Sequence, residues 1–363
     1  MKLINKSLLL ILALMSLFSS CTKDLSFESS NLNPNQKLNS PDVAALTGGE
    51  TGRACSAMDV LDINLQENPG LAQKMEAINK HAESFARGKK GASAGATPQD
   101  IALAASLTST QIITIPVVVN VIYSNAQENL SDAQIQSQIT VLNQDFSYAN
   151  ADKSLLANTV FSNLGSTFNI QFTLFATNRK ASNKTSWGTR DAMKSTKKGG
   201  IDPTDPTHKL NLWVCNIGGG ILGYAQFPGG NSATDGVVIG PQYFGSSAYA
   251  NTAPPNKPFY FEVPYDLGRT ATHEIGHWLN LRHIWGDATC GNDFIADTPV
   301  HNTSNGGCPN YPHLSTCTGT PIEMTMNYMD YTYDACMYMF SIDQNTRARA
   351  VFAAGGPRVA FVQ

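Results

Sequence analysis

The stretch His273-Glu274-Ile275-Gly276-His277-Trp278-Leu279-Asn280-Leu281-Arg282-His283 decides how the rest of the chain is read. Four residues is just over one helical turn, so His273 and His277 project from one face and can share a metal ion. Two neutral imidazoles at zinc distance leave room for a third ligand and a water. Glu274 can reach that water as general base without being a ligand. His283 lies six residues past His277 and can join only if the chain turns sharply after Leu279. Asn280 stands where that turn is needed; after glycine, asparagine is the residue most tolerant of positive φ. The sequence therefore predicts a helix over 266–281 that stops at this point, and a zinc site of His273, His277 and His283.

Upstream, Ile112 to Tyr123 is dense in β-branched residues and reads as a buried strand. Ser131-Asp-Ala-Gln opens an amphipathic helix to about Asp145, with Ile135, Ile139 and Leu142 on one face. Asn169–Ala176, Lys209–Asn216, Leu222–Phe227 and Gly236–Ile239 add four strand candidates. Strand, helix, then several strands before the zinc helix predicts an α+β domain, a mixed sheet with helices packed on it. Met58 to about Phe85 is helical in pattern, and Ala86 to Pro98, small-residue and Gly-rich with three basic side chains, reads as a linker open to proteolysis. The remaining histidines, His81, His208, His301 and His313, carry no metal spacing and read as surface or structural.

The chain has 363 residues, 42% hydrophobic and 15% charged, which permits a large core and excludes bulk disorder. A formal charge of −3 disfavours nucleic acid or an anionic membrane as the main partner. Lys2 and Lys6 precede an apolar run, Leu8–Phe18, too short for a mature membrane anchor. Ser19 and Ser20 then lead to Cys21, a secretory signal that closes like a bacterial lipoprotein box. Export follows, to the outer membrane through a lipid on Cys21 or to the exterior after ordinary cleavage. A Ser-, Asn- and Pro-rich tether runs to about residue 40. Four of the other six cysteines crowd the last quarter of the chain, which in an exported protein reads as disulfides in any of three pairings.

The zinc motif, with Met326-Asn-Tyr-Met329-Asp-Tyr331 downstream, resembles the metzincins, and within them the pappalysin (ulilysin-like) metallopeptidases. Ile115-Pro-Val-Val-Val, Leu222-Gly-Tyr-Ala-Gln-Phe-Pro, Ala296-Asp-Thr-Pro299 and Gly355-Gly-Pro-Arg358 extend the resemblance over roughly residues 51–357. It implies a twisted mixed five-stranded sheet with two main helices, followed by an irregular, disulfide-stapled C-terminal subdomain, with the cleft between them. It implies a zinc endopeptidase acting on protein or peptide substrates as a monomer. Met329 becomes the methionine beneath the metal, and Tyr331 the hydroxyl that stabilises the oxyanion, against the plainer reading of a packed aromatic. Gly223, Tyr224 and Ala225 become the rim strand that pairs with an extended substrate.

Arg53-Ala-Cys55-Ser resembles the family's propeptide cysteine, whose thiolate would occupy the open zinc position and hold the enzyme latent. The alternative is a Cys55–Cys215 disulfide; Cys215 otherwise reads as a buried strand thiol. Cleavage near Arg87–Lys90 would release the enzyme. The resemblance also implies bridges Cys290–Cys317 and Cys308–Cys336. Asp293, Asp297 and Thr298 make an oxygen-rich loop suited to calcium or to solvent. Asp334 falls at the base of the pocket for the residue after the cut bond, implying cleavage before Arg and less so Lys; otherwise it is an exposed turn aspartate. The expected organisation is a signal peptide over 1–20, tether and inhibitory propeptide over 21–107, and a catalytic domain over 108–363, divided after His283. Two rivals are a non-catalytic zinc-binding protein and a zinc hydrolase of non-peptide substrates; Glu274 disfavours the first, Met329 and Cys55 the second.

Overall fold

The computed structural model describes residues 54–362. The signal, Cys21 and the tether lie outside the described residues. Helix α1 spans Ala57–Glu67 and α2 spans Leu71–Lys90. The single helical stretch expected from Met58 is thus cut at Asn68-Pro69-Gly70, where Pro69 interrupts the backbone ladder. Conversely, the expected linker is mostly ordered: Arg87–Lys90 form the last turn of α2, and α3 (Pro98–Ala105) begins at a Thr97–Asp100 capping box. Asp100 also accepts from Ser84, closing α2 and α3 into a hairpin. A protease cutting at Arg87 must first unwind a helix end.

Five strands and three helices follow. They are β1 (Ile113–Tyr123), α4 (Asp132–Phe146), β2 (Ile170–Ala181), β3 (Leu210–Val214), β4 (Gly223–Ala225), β5 (Val237–Ile239), α5 (Arg269–Trp278) and α6 (Ile342–Ala350). Each expected strand forms. The order is β2-β1-β3-β5-β4, with three parallel pairings and one antiparallel, that of β4 with β5. β4 is therefore an edge.

β1 buries both faces, as a central parallel strand should. Val117, Val119 and Val121 face the core shared with Ile135, Ile139, Leu142 and Phe146 of α4 and with Ile275 and Trp278 of α5. Ile122, Trp213, Tyr224 and Val238 face the opposite layer, which Trp187, Met193 and Cys215 cover. Phe146 is fully buried, with ring centroids 5.1–5.3 Å from Phe168, Phe172 and Phe340, so one side chain joins α4, β2 and the C-terminal segment. Ser131 caps α4 by accepting from the Gln134 amide, but the Gln134 side chain does not complete a capping box. It donates instead to the carbonyls of Phe244 and Tyr260, tying the helix to the loop before α5.

After His283 the chain is largely irregular and is held by bridges Cys290–Cys317 and Cys308–Cys336. Neither Cys55 nor Cys215 takes part in a disulfide, which removes the alternative bridge between them.

Candidate metal centre

Helix α5 is buried along its whole length. Its N-terminus has no side-chain cap of its own; instead Asp334, from far down the chain, accepts from the Leu267 and Arg269 amides at 2.9 and 3.1 Å. A carboxylate there also meets the positive end of the helix dipole. Arg269 donates to the Tyr328 hydroxyl and the Met337 carbonyl and pairs with Asp145 and Asp152. At the other end the helix stops at Trp278, and Asn280 sits at φ +72 while the Leu281 amide returns to the Gly276 carbonyl. That left-handed turn brings His283 back beneath the helix.

The Nε2 atoms of His273 and His283 lie 3.2 and 3.1 Å from that of His277. The Cys55 sulfur lies 3.6 Å from His277 Nε2, and the four ligand atoms fall within 4.8 Å of one another. Tetrahedral zinc with ordinary bond lengths requires N···N separations of about 3.3 Å and S···N separations of about 3.6 Å. The donor set fits that ion. Each ring is oriented by its other nitrogen: His273 Nδ1 on the Tyr328 carbonyl, His277 Nδ1 on the Leu281 carbonyl, His283 Nδ1 on the Asp287 carboxylate. Burial, and then His283, push the His277 pKa far down, keeping it a neutral donor.

Glu274 is buried beside the site, with Oε2 3.5 Å from the Cys55 sulfur. Gly223 on β4 permits this closeness, since a Cβ there would stand 3.0 Å from Glu274 Cγ. Gly276 has a similar reason: its Cβ would meet the Met329 sulfur at 2.4 Å. Met329 is thus packed directly against the zinc helix, fully buried. The Tyr331 hydroxyl donates to the Cys55 carbonyl at 3.2 Å, and its ring stands 4.9 Å from that of His283. Burial, with Cys55 and Glu274 adding, raises its pKa well above the ordinary phenol value, so it is a proton-bearing donor.

Cys55 reaches this centre as part of an added strand. The Leu222 amide donates to the Ala54 carbonyl and the Ser56 amide to the Gly223 carbonyl, a parallel bridge on the free edge of β4. The structure corrects the reading of Tyr224 as a cleft residue: its side chain points through the sheet, where the hydroxyl donates to Asp191 at 2.9 Å. Only backbone atoms of β4 lie along the edge that Ala54–Ser56 meets. Asp334 is not an exposed turn residue but fully buried, with Oδ2 on the α5 amides.

The oxygen-rich loop is also already employed. Thr298 donates to Asp293, while Asp297 accepts from the Ser341 hydroxyl and the Asp343 amide at the start of α6. His301 is buried, accepting from the Met324 amide and facing Asp330. Reading by sequence missed Arg269, Asp287 and the helix-capping duty of Asp334. Arg269 and Asp334 act across long loops and leave no local spacing, whereas Asp287 lies only four residues past His283 and was overlooked there.

The family model described as pregnancy-associated plasma protein-A, a peptidase family, matches residues 255–353. The chain is 31% identical over 248 residues to an extracellular metalloprotease of Arthroderma benhamiae, covering 67% of this chain and 79% of that protein. It is 31% identical over 304 residues to an extracellular metalloprotease of Pyricularia oryzae, covering 83% and 93%. Among solved structures it resembles mature mirolysin of Tannerella forsythia in complex with a cleaved peptide, at 43% identity and TM-score 0.64, covering 69% of this chain and 96% of that one. A promirolysin mutant from the same organism matches at 36% identity and TM-score 0.68, covering 85% and 97%.

Proposed function

The chain belongs to the pregnancy-associated plasma protein-A (pappalysin) peptidase family and is a metalloprotease, and on that premise we propose a latent zinc endopeptidase whose site residues act as follows. His273, His277 and His283 hold the ion, and Cys55 is the fourth ligand of the precursor. The observation that carries this is the gathering of those four donor atoms within 4.8 Å of one another beside Glu274. The similarity to promirolysin supports latency. Bound zinc supplies Lewis acidity toward a scissile carbonyl and makes a water acidic at neutral pH.

Within that frame the protein side chains do the following. Glu274 accepts a proton from the water and passes it to the leaving amine. Tyr331 donates to the oxygen on which charge develops, as it now donates to the Cys55 carbonyl. Met329 packs beneath the ligands. The β4 backbone at Gly223 and Ala225 receives an extended substrate as a further strand, the place that Ala54–Ser56 now takes.

Finer features complete the reading. Residues 21–107 form the tether and inhibitory propeptide and 108–363 the catalytic domain, divided after His283. The enzyme is exported, in keeping with relatives named extracellular; no helix among the described residues is long and apolar enough to cross a membrane. A lipid on Cys21 would anchor it to the outer membrane, and it works as a monomer. Cleavage precedes Arg, less so Lys, by pairing with Asp334, whose carboxylate would serve the substrate and the α5 amides together. Calcium in the Asp293–Thr298 loop is supported by its oxygen content, with Asp293 the leading ligand. The test is a pair of variants: Cys55→Ala should give a precursor that cuts peptides without processing, and Glu274→Ala should lower turnover by about 10²–10⁴ at full zinc content. A silent Cys55→Ala precursor that folds and binds zinc would refute the latch; undiminished proteolysis by Glu274→Ala would refute the mechanism.

A further inference from the structure

The zinc helix α5 ends at Trp278, and the last carbonyls of a helix need partners from beyond it. Those of Ile275, Gly276 and His277 are served locally. The Leu279 amide donates to the first two, the Leu281 amide also to Gly276, and the Asn280 amide to His277. The Trp278 and Asn280 carbonyls are met instead by two buried arginines from the end of the chain. Arg358 Nε donates to Trp278 at 3.0 Å, its other two nitrogens hold both oxygens of Asp235, and its guanidinium lies 3.7 Å from the Trp278 ring centroid. Arg347, on α6, donates through Nε to the Asn280 carbonyl at 2.8 Å.

The two arginines differ in what they grip. Arg358 is locked in an ion pair and holds the helix itself. Arg347 holds the residue that makes the left-handed turn, φ +72, on which the return of His283 depends. Its other partners are the Asn79 side-chain oxygen on α2 and the ring of Phe294, 5.5 Å away. A buried cation is thus held by two neutral oxygens and a ring face. The Asn280 side chain does not secure the turn, since its buried nitrogen has no hydrogen-bond partner among the described residues. The next carbonyl along, that of Leu281, orients His277 through Nδ1, and His283 follows two residues later. Fixing the Asn280 peptide therefore fixes two of the three imidazoles.

We propose that Arg347 is a positioning residue of the metal centre: its Nε–H on the Asn280 carbonyl holds the turn that presents His283 and, through Leu281, His277. The inference rests on the metalloprotease reading and deepens it. Arg349, two residues further along the same helix, supplies the contrast. It is similarly buried, but its guanidinium serves the carbonyls of Phe168, Thr108 and Gln111, none of which belongs to the zinc motif.

The test uses the zinc-loaded full-length precursor and follows release of the ion to an excess of a coloured chelator. Arg347→Met should release zinc about tenfold faster than the wild type or more, as loss of an outer partner of a metal ligand does. Arg349→Met should lower the urea midpoint comparably, yet release zinc within about twofold of the wild-type rate. Arg347→Gln places an amide nitrogen where Nε stands, without the charge and without reaching Asn79. It should bring release back to within about threefold of the wild type. Wild-type release from folded Arg347→Met overturns the proposal, as does equally fast release from Arg349→Met or no recovery in Arg347→Gln. Should Arg347→Met fail to fold, Arg347→Lys decides, because it keeps the charge but has a methylene in the place of Nε. Release about threefold faster or more is then expected, and wild-type release overturns the proposal. A wild-type precursor that binds no zinc would overturn the underlying metal reading, a result distinct from unchanged zinc release in the variants.

Discussion

The sheet with α4 and α5, and the chain after His283, hold opposite sides of one metal centre by different physics. The first relies on apolar burial: β1 is sealed on both faces, and Phe146 touches three other phenylalanine rings. The second has few regular elements and relies on directed polar contacts. Asp334 caps α5, Asp297 secures the start of α6, Asn305 bridges Glu323 and Asp330, and two disulfides close the loops. Apolar packing fixes where the ligands stand, since α5 cannot shift without opening the core. Polar contacts fix what surrounds them, because Met329 and Tyr331 lie on irregular chain. Arg269 belongs to both, joining Asp145 of α4 to Tyr328, whose carbonyl orients His273.

If this division is right, damage to the two sides should differ in size and in kind. Phe146→Ala should destabilise the fold most, by about 3–5 kcal/mol, seen as a lower midpoint in urea with an unchanged slope. A loss below about 1 kcal/mol would mean that the ring cluster is not what joins the two sides. Asp334→Ala should cost less, about 1–3 kcal/mol, because it strands the Leu267 and Arg269 amides, one half-buried and one buried, rather than opening a large cavity. It should also slow peptide hydrolysis, since α5 carries the site; full stability with unchanged turnover would break the link between the C-terminal chain and the zinc helix.

The smallest expected effect concerns pH. Burial raises the Asp293 pKa from 3.8 to about 7, although the hydrogen bonds from Thr298 and Ile295 pull it down. The folded state then binds a proton that the unfolded chain has already released across that range. The cost of burying the charge is full above about pH 7 and disappears as the pH falls toward 4. Asp293→Asn should therefore stabilise the protein at pH 8 by on the order of 1 kcal/mol, by roughly half as much at pH 5, and leave it nearly unchanged at pH 3. In millimolar calcium the sign should reverse if the ion sits in this loop. Thermal melts across this pH range, with and without calcium, separate these outcomes.

Legibility in the sequence follows the same division. Strands and amphipathic helices announce themselves by period, so β1, α4 and the short strands lie close to where the pattern puts them. The clustering of His273, His277 and His283 was readable because one helical turn and one left-handed turn convert spacing into geometry. Asp334 and Arg269 were not readable as partners, since a hydrogen bond across a long loop leaves no period; Asp287, four residues past His283, could have been found as the acid beside the last histidine. The segment from Arg87 to Asp100 misled for a related reason. Glycine marks flexibility in an exposed chain, but Gly88 lies where a Cβ would stand 1.9 Å from the Asp100 carbonyl oxygen. There the missing side chain admits a neighbouring helix.

The central claim is that a single ion is gripped by three imidazoles and, in the precursor, by the Cys55 thiolate. X-ray absorption at the zinc edge of the purified precursor and of its processed product tests it directly. The account predicts one zinc per chain with about three nitrogen neighbours and one sulfur near 2.3 Å in the precursor, the sulfur being lost on processing. A precursor without a sulfur neighbour, or without stoichiometric zinc, would contradict it.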